Sequence, residues 1–118
     1  MMRFLSMIRV QENGQVPSER LMTEMGKLIQ EWTAAGVLLE TAGLQPTAKG
    51  KRVRLRSGKI STVDGPFTET KEVIGGYAIL KADSMAEAVK LTERFLEVHG
   101  DEWELDCEVR QIEEHDLG

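Results

Sequence analysis

Asp64-Gly65-Pro66-Phe67-Thr68-Glu69-Thr70-Lys71-Glu72-Val73-Ile74-Gly75-Gly76-Tyr77 combines a rigid turn, four charged side chains and a glycine pair before entering an apolar strand. Proline fixes its own φ and clashes with an α-helical predecessor, so Gly65-Pro66 is extended or turned. Asp64 can accept hydrogen bonds from backbone amides of that turn. Gly75-Gly76 permits positive φ or the close approach of another backbone or a ligand. Tyr77-Ala78-Ile79-Leu80 follows as a strand apolar on both faces, which makes it a central strand covered twice.

Upstream, residues 52–56 and 59–63 read as a hairpin closed at Ser57-Gly58. A two-residue turn sets Leu55 opposite Ile60 and Val53 opposite Thr62, leaving Arg52, Arg54, Arg56, Lys59 and Ser61 on the reverse face. That cationic face can meet phosphate or carboxylate, and a solvated edge hairpin is the preferred reading. It carries no interleaved aromatics for stacking on bases, so nucleic acid is not an expected partner. Val37-Leu38-Leu39-Glu40 is a short strand before it, ended by Gly43-Leu44-Gln45-Pro46.

Residues 2–10 form the first strand, with Phe4, Ile8 and Val10 on one face and Leu5 and Met7 on the other. Ser18 caps a helix whose apolar stripe is Leu21, Met22, Met25, Leu28, Ile29 and Trp32, and Gly36 fits its C-terminal end. Downstream, Ser84 and Glu87 have capping-box spacing for a second helix, with Val89, Thr92, Phe95 and Leu96 inward and Gly100 at its end. The last strand is expected from Trp103 to about Ile112, with Trp103, Leu105, Cys107 and Val109 pointing in. Cys107 is thus read as a core residue.

The order is strand, helix, strand, inserted hairpin, strand, helix, strand. This is the ferredoxin-like α+β arrangement, βαββαβ with an inserted β-hairpin, in a single domain over residues 1–112 with a polar tail over 113–118. Two helices cover one face of a four-stranded sheet. Leu5 and Met7 therefore need a second cover, and another copy of the same sheet predicts a homodimer.

Composition narrows the class. The 118 residues are 41% hydrophobic and 30% charged, as expected of a soluble globular chain. No apolar run approaches the ~20 residues of a membrane span, and residues 1–8 are too short for a signal-peptide core. A single cysteine, Cys107, excludes an internal disulfide and suits a reducing cytoplasm. The net charge of −5 is unevenly spread. Residues 41–63 hold no acid and six cations, whereas residues 101–118 hold eight acids and Arg110. These are read as two solvated faces, or as regions that meet within a chain or across a dimer.

The pieces Gly43-Leu44-Gln45-Pro46, Val53-Arg54, Asp64-Gly65-Pro66-Phe67, Glu69, Lys71-Glu72, Gly75-Gly76-Tyr77 and Glu108-Val109-Arg110 resemble the YCII-related proteins, in the branch named for its Asp-Gly-Pro-Phe motif. They span nearly the whole chain in order. The resemblance implies a ferredoxin-like fold pairing as a dimeric α+β barrel, in a largely uncharacterised family. The wider superfamily includes isomerases, dehalogenases, monooxygenases and haem-handling enzymes, and fold does not transfer function. Enzymes proposed in the broader YCII group use a histidine near the end of the first strand with an aspartate. Met7-Ile8-Arg9-Val10 has no histidine there; the two histidines are His99, read as a helix-end residue, and His115, in the tail.

Two functional readings follow. In the first, the chain binds a small polar molecule in the dimeric barrel and performs acid–base chemistry. Asp64 is then the general base if burial raises its pKa, and Tyr77 a donor to a developing oxyanion. Arg54 holds a substrate carboxylate, and Glu69, Lys71 and Glu72 complete the set. In the structural version of these residues Asp64 caps its turn, Arg54 pairs with a carboxylate such as Glu72, and Tyr77 packs. The second reading is a non-catalytic dimeric scaffold or regulatory module, since domains of this family occur joined to sigma-factor-type proteins. No cofactor or metal is expected: two histidines and one cysteine do not make the usual zinc set, and no phosphate loop, dinucleotide fingerprint or G-x-S-x-G elbow is present.

Overall fold

The computed structural model describes residues 1–67 and 72–114. In chain order it comprises β1 (Met2–Val10), α1 (Glu19–Ala34), β2 (Leu38–Gly43), a 3-10 turn (Thr47–Lys49), β3 (Lys51–Arg56), β4 (Lys59–Asp64), β5 (Val73–Ala82), α2 (Met85–His99) and β6 (Asp106–Gln111). Four strands form one sheet in the order β2-β5-β1-β6 with every neighbour antiparallel, while β3 and β4 pair only with each other. With the hairpin set aside, two interleaved β-α-β units remain, the ferredoxin-like α+β arrangement.

Both helices start where the sequence places their caps. Ser18 Oγ accepts from Leu21 N at 3.1 Å and Ser84 Oγ from Glu87 N at 3.2 Å, each such cap contributing about 1 kcal/mol. Glu87 reaches back to Asp83 N, one residue before the cap. Gly36 takes a φ of 75° just past α1, the left-handed conformation that ends a helix at little cost to glycine.

Alternate residues of β1 meet different surroundings. Phe4, Ser6 and Ile8 face the helices: Phe4 packs with Ala82 and Ala88, and Ser6 and Ile8 lie against Trp32, Thr92 and Phe95. Leu5 and Met7 face the other way, opposite Ile79 and Tyr77 of β5, and stay half-buried. The helical stripes are narrower than their spacing suggests. Leu21 and Leu28 are buried on α1, but Met22 and Ile29 are exposed, since each is turned about 100° from the buried pair. On α2 the inward row is Ala88, Thr92 and His99, and Val89 falls outside it for the same reason. Cys107 lies half-buried opposite Ile8 on the helix-covered side.

The hairpin stands off as an arm. Its register is Leu55 to Ile60 and Val53 to Thr62, and Ser57 and Gly58 take φ of 50° and 77°, the two positive values a type I′ turn needs. Neither strand packs broadly on another element. Val53, Leu55 and Ile60 are 67%, 64% and 75% exposed. The arm's root is tied down where Gly65 N donates to Gly50 O at 3.0 Å. A Cβ on Gly65 would collide with the carbonyl of Thr47. The radius of gyration is 16.4 Å, against about 13.5 Å for a compact chain of this length.

Candidate functional site

At one end of the sheet β1 finishes, β5 and β6 begin, and α2 terminates. Two clefts open there, of about 760 Å³ and 500 Å³. They share a wall of Val10, Gln11, Asn13, Gln15 and Trp103. The larger cleft is acidic, with Glu72, Asp101, Glu102, Glu104 and Asp106 beside His99. The smaller is built around Glu12, Leu44, Pro46, Thr47, Pro66 and Gly75.

The shared wall is held from both sides. Glu12 accepts from Thr47 N at 2.7 Å and from the Thr47 hydroxyl, which holds its carboxyl below the ordinary glutamate range. This joins the exit of β1 to the turn after β2. Glu102 accepts from Ser18 Oγ at 2.6 Å and Arg20 Nε at 2.7 Å. Those two bonds lower its pKa as well. Gln15 Nε2 donates to the carbonyl of Glu102 at 2.8 Å. The loop after β1, the start of α1 and the segment before β6 thus brace one another.

Trp103 stands in the middle of this frame, and its indole N–H is buried without a hydrogen-bond partner. Leaving such a donor unsatisfied costs about 1–3 kcal/mol, and a native polar group in that condition asks for an acceptor. His99 is buried, its Nδ1–H donating to Phe95 O at 2.9 Å. It is a packed residue of the cleft floor as well as a helix end.

The residues singled out from the sequence do not converge. Asp64 lies at the end of β4 with its side chain 76% exposed, ion-paired to Lys51 across the hairpin, and lines neither cleft. Arg54 is half-buried on the cationic face of the arm, opposite Ser61. Tyr77 is on the open face of the sheet, its hydroxyl donating to Glu40 at 2.6 Å. That bond, with a smaller contribution from burial, raises its pKa and keeps the phenol a donor. Glu72 is half-buried and lines the acidic cleft. Glu69 and Lys71 lie outside the described residues, as does His115. Sequence reading missed Trp103 as a site residue because its place in an alternating run made it look like a strand position. β6 begins only at Asp106, which pairs with Arg9. Among the described residues no group of His, Cys, Asp and Glu is arranged to hold a metal ion, and no helix is long and apolar enough to cross a membrane.

The family model of the YCII-related domain matches residues 2–105, from β1 to the threshold of β6. The chain belongs to the YCII-related domain family. This YCII-related chain is also 34% identical over 71 residues to an uncharacterised protein of Rhizobium meliloti (strain 1021), a match covering 60% of the chain and 57% of that relative. The chain therefore spans little more than half the length of that relative.

Proposed function

We propose that this YCII-related protein is a homodimer that binds a small polar molecule at the end of the sheet where the two clefts meet. The observation that carries the reading is the buried, unpartnered N–H of Trp103 on the wall common to both clefts. A carbonyl, carboxylate or phosphoryl oxygen of a ligand would satisfy it. The second copy covers Leu5, Met7, Tyr77 and Ile79, an apolar centre on the sheet face that no helix among the described residues reaches. The site offers Glu72 and the other cleft carboxylates for proton transfer, while Asp64 serves as the ion-pair partner of Lys51.

A thermal-shift screen of polar metabolites tests the ligand, because binding to the native state alone raises stability by about 2.7 kcal/mol at a hundredfold excess over Kd. Trp103→Phe keeps an aromatic ring and removes the donor. Stabilising compounds are expected to lose their effect in this variant; a library without effect, or hits indifferent to Trp103→Phe, would refute the site. The dimer is tested separately by Met7→Asp, which would bury an unpaired charge. This variant is expected to sediment as a folded monomer.

A further inference from the structure

We propose that the β3–β4 arm docks on a second copy of the chain, laying its tip over the acidic segment that leads into the partner's β6 and closing the mouth of the partner's larger cleft. The inference rests on the homodimer proposed above and adds the contact that completes it.

Area is the first argument. The apolar centre of the open face comprises Leu5, Met7, Tyr77 and Ile79, far fewer than the about 20–30 residues a side of a standard interface. A standard stable interface buries about 800 Å² per partner. The arm carries the further apolar surface, in Val53, Leu55 and Ile60, all more than half exposed.

Charge is the second. The arm and its root hold Lys49, Arg56 and Lys59, while Lys51 is paired with Asp64, the acid that ends β4. Asp101, Glu104, Asp106 and Glu108 lie exposed before and along β6. Of these, Glu108 reaches Arg9 at 3.6 Å and Arg110 at 4.0 Å. Two regions of opposite charge at separate places on one chain are brought into contact, twice over, when a two-fold axis exchanges them.

Topology is the third, and it puts both regions at the same end of the sheet. Gly43, Gly76, Ile8 and Cys107 form one transverse row across β2, β5, β1 and β6. The arm leaves the sheet just beyond Gly43, and the acidic segment enters it just before Cys107, so both lie at the same end. A two-fold axis parallel to the strands, above the open face, preserves that level and exchanges the edges. β2 then lies over the partner's β6, and the arm over the partner's acidic segment. Six-residue strands give the arm a reach of about 20 Å, twice the ~10 Å separating packed sheets. Glu104 and Asp106 line the larger cleft, so an arm seated on them covers its opening.

The test is a charge exchange read by sedimentation velocity across a concentration series. Arg56→Glu with Lys59→Glu reverses the arm tip, and Glu104→Lys with Asp106→Lys reverses the body. All four positions are exposed, and circular dichroism checks that each variant is folded. Each double variant alone is expected to raise the dimer dissociation constant at least tenfold. Mixed in equal amounts, the two should restore dimers, because both arm contacts in the mixed pair are again complementary. Wild-type affinity in either double variant, or a mixture that stays monomeric, would overturn the arm contact. Should Met7→Asp abolish dimers while the arm variants keep wild-type affinity, the sheet-face dimer stands and the arm is excluded. A wild type that is monomeric throughout removes both.

Discussion

Phe4 and Leu5 are neighbours on β1, yet one is sealed beneath α2 and the other is half-open on the opposite sheet face. The contrast extends along the strand, with Ser6 and Ile8 under α2 and Met7 beside Tyr77. One face is filled by the chain's own elements. The other has the composition of a core and no helix over it among the described residues, so a single strand presents two different apolar faces by period two. The arm repeats the contrast on a smaller scale, with an apolar row opposite a cationic one and neither packed broadly on the body.

The sharpest way to break that comparison is to truncate both neighbours. Phe4→Ala should cost about 3–5 kcal/mol, as for a fully buried aromatic, measured by denaturant unfolding at a concentration where the protein is monomeric. Leu5→Ala under the same conditions should cost much less and act instead on assembly. Equal losses would mean that the two faces are equally covered within one chain.

A weaker effect separates the braced end of the sheet from the rest. Glu102 has its pKa lowered by Ser18 and Arg20, so it binds protons less readily folded than unfolded. Its contribution to stability is therefore present above the ordinary glutamate pKa of about 4.3 and is lost as the pH falls through the lower folded value. Glu102→Gln should flatten the decline of the unfolding midpoint in that acidic range and leave its slope near neutrality unchanged.

The smallest effect is expected on the arm. Asp64→Asn removes an exposed ion pair with Lys51, and such pairs contribute about 0–1 kcal/mol. Its denaturant midpoint should lie close to wild type, and any ligand response should persist. Loss of that response with stability intact would return Asp64 to the site.

Much of the architecture is legible in the sequence because it rests on local rules. The two-faced alternation of β1, the serine caps and the hairpin register each depend on residues a few positions apart. The errors arise where a distant partner decides. Trp103 and Leu105 continue the alternation of β6 but precede its paired run, which starts at Asp106 opposite Arg9, and Met22 and Ile29 sit at the margin of a stripe whose width is set by the sheet beneath. The candidate site was less legible for the same reason. An orphaned indole N–H is a property of packing, and the meeting of Glu12 with Thr47 closes a gap of 35 residues.

Gly65 leaves no space for a side chain against Thr47, and its amide is already bonded to Gly50. The base of the arm is in consequence a bracket and not a hinge. Much of the freedom that an extended hairpin would otherwise surrender on meeting a surface has been given up during folding, when the chain closed on itself. Ordering costs that would oppose the proposed docking are correspondingly smaller.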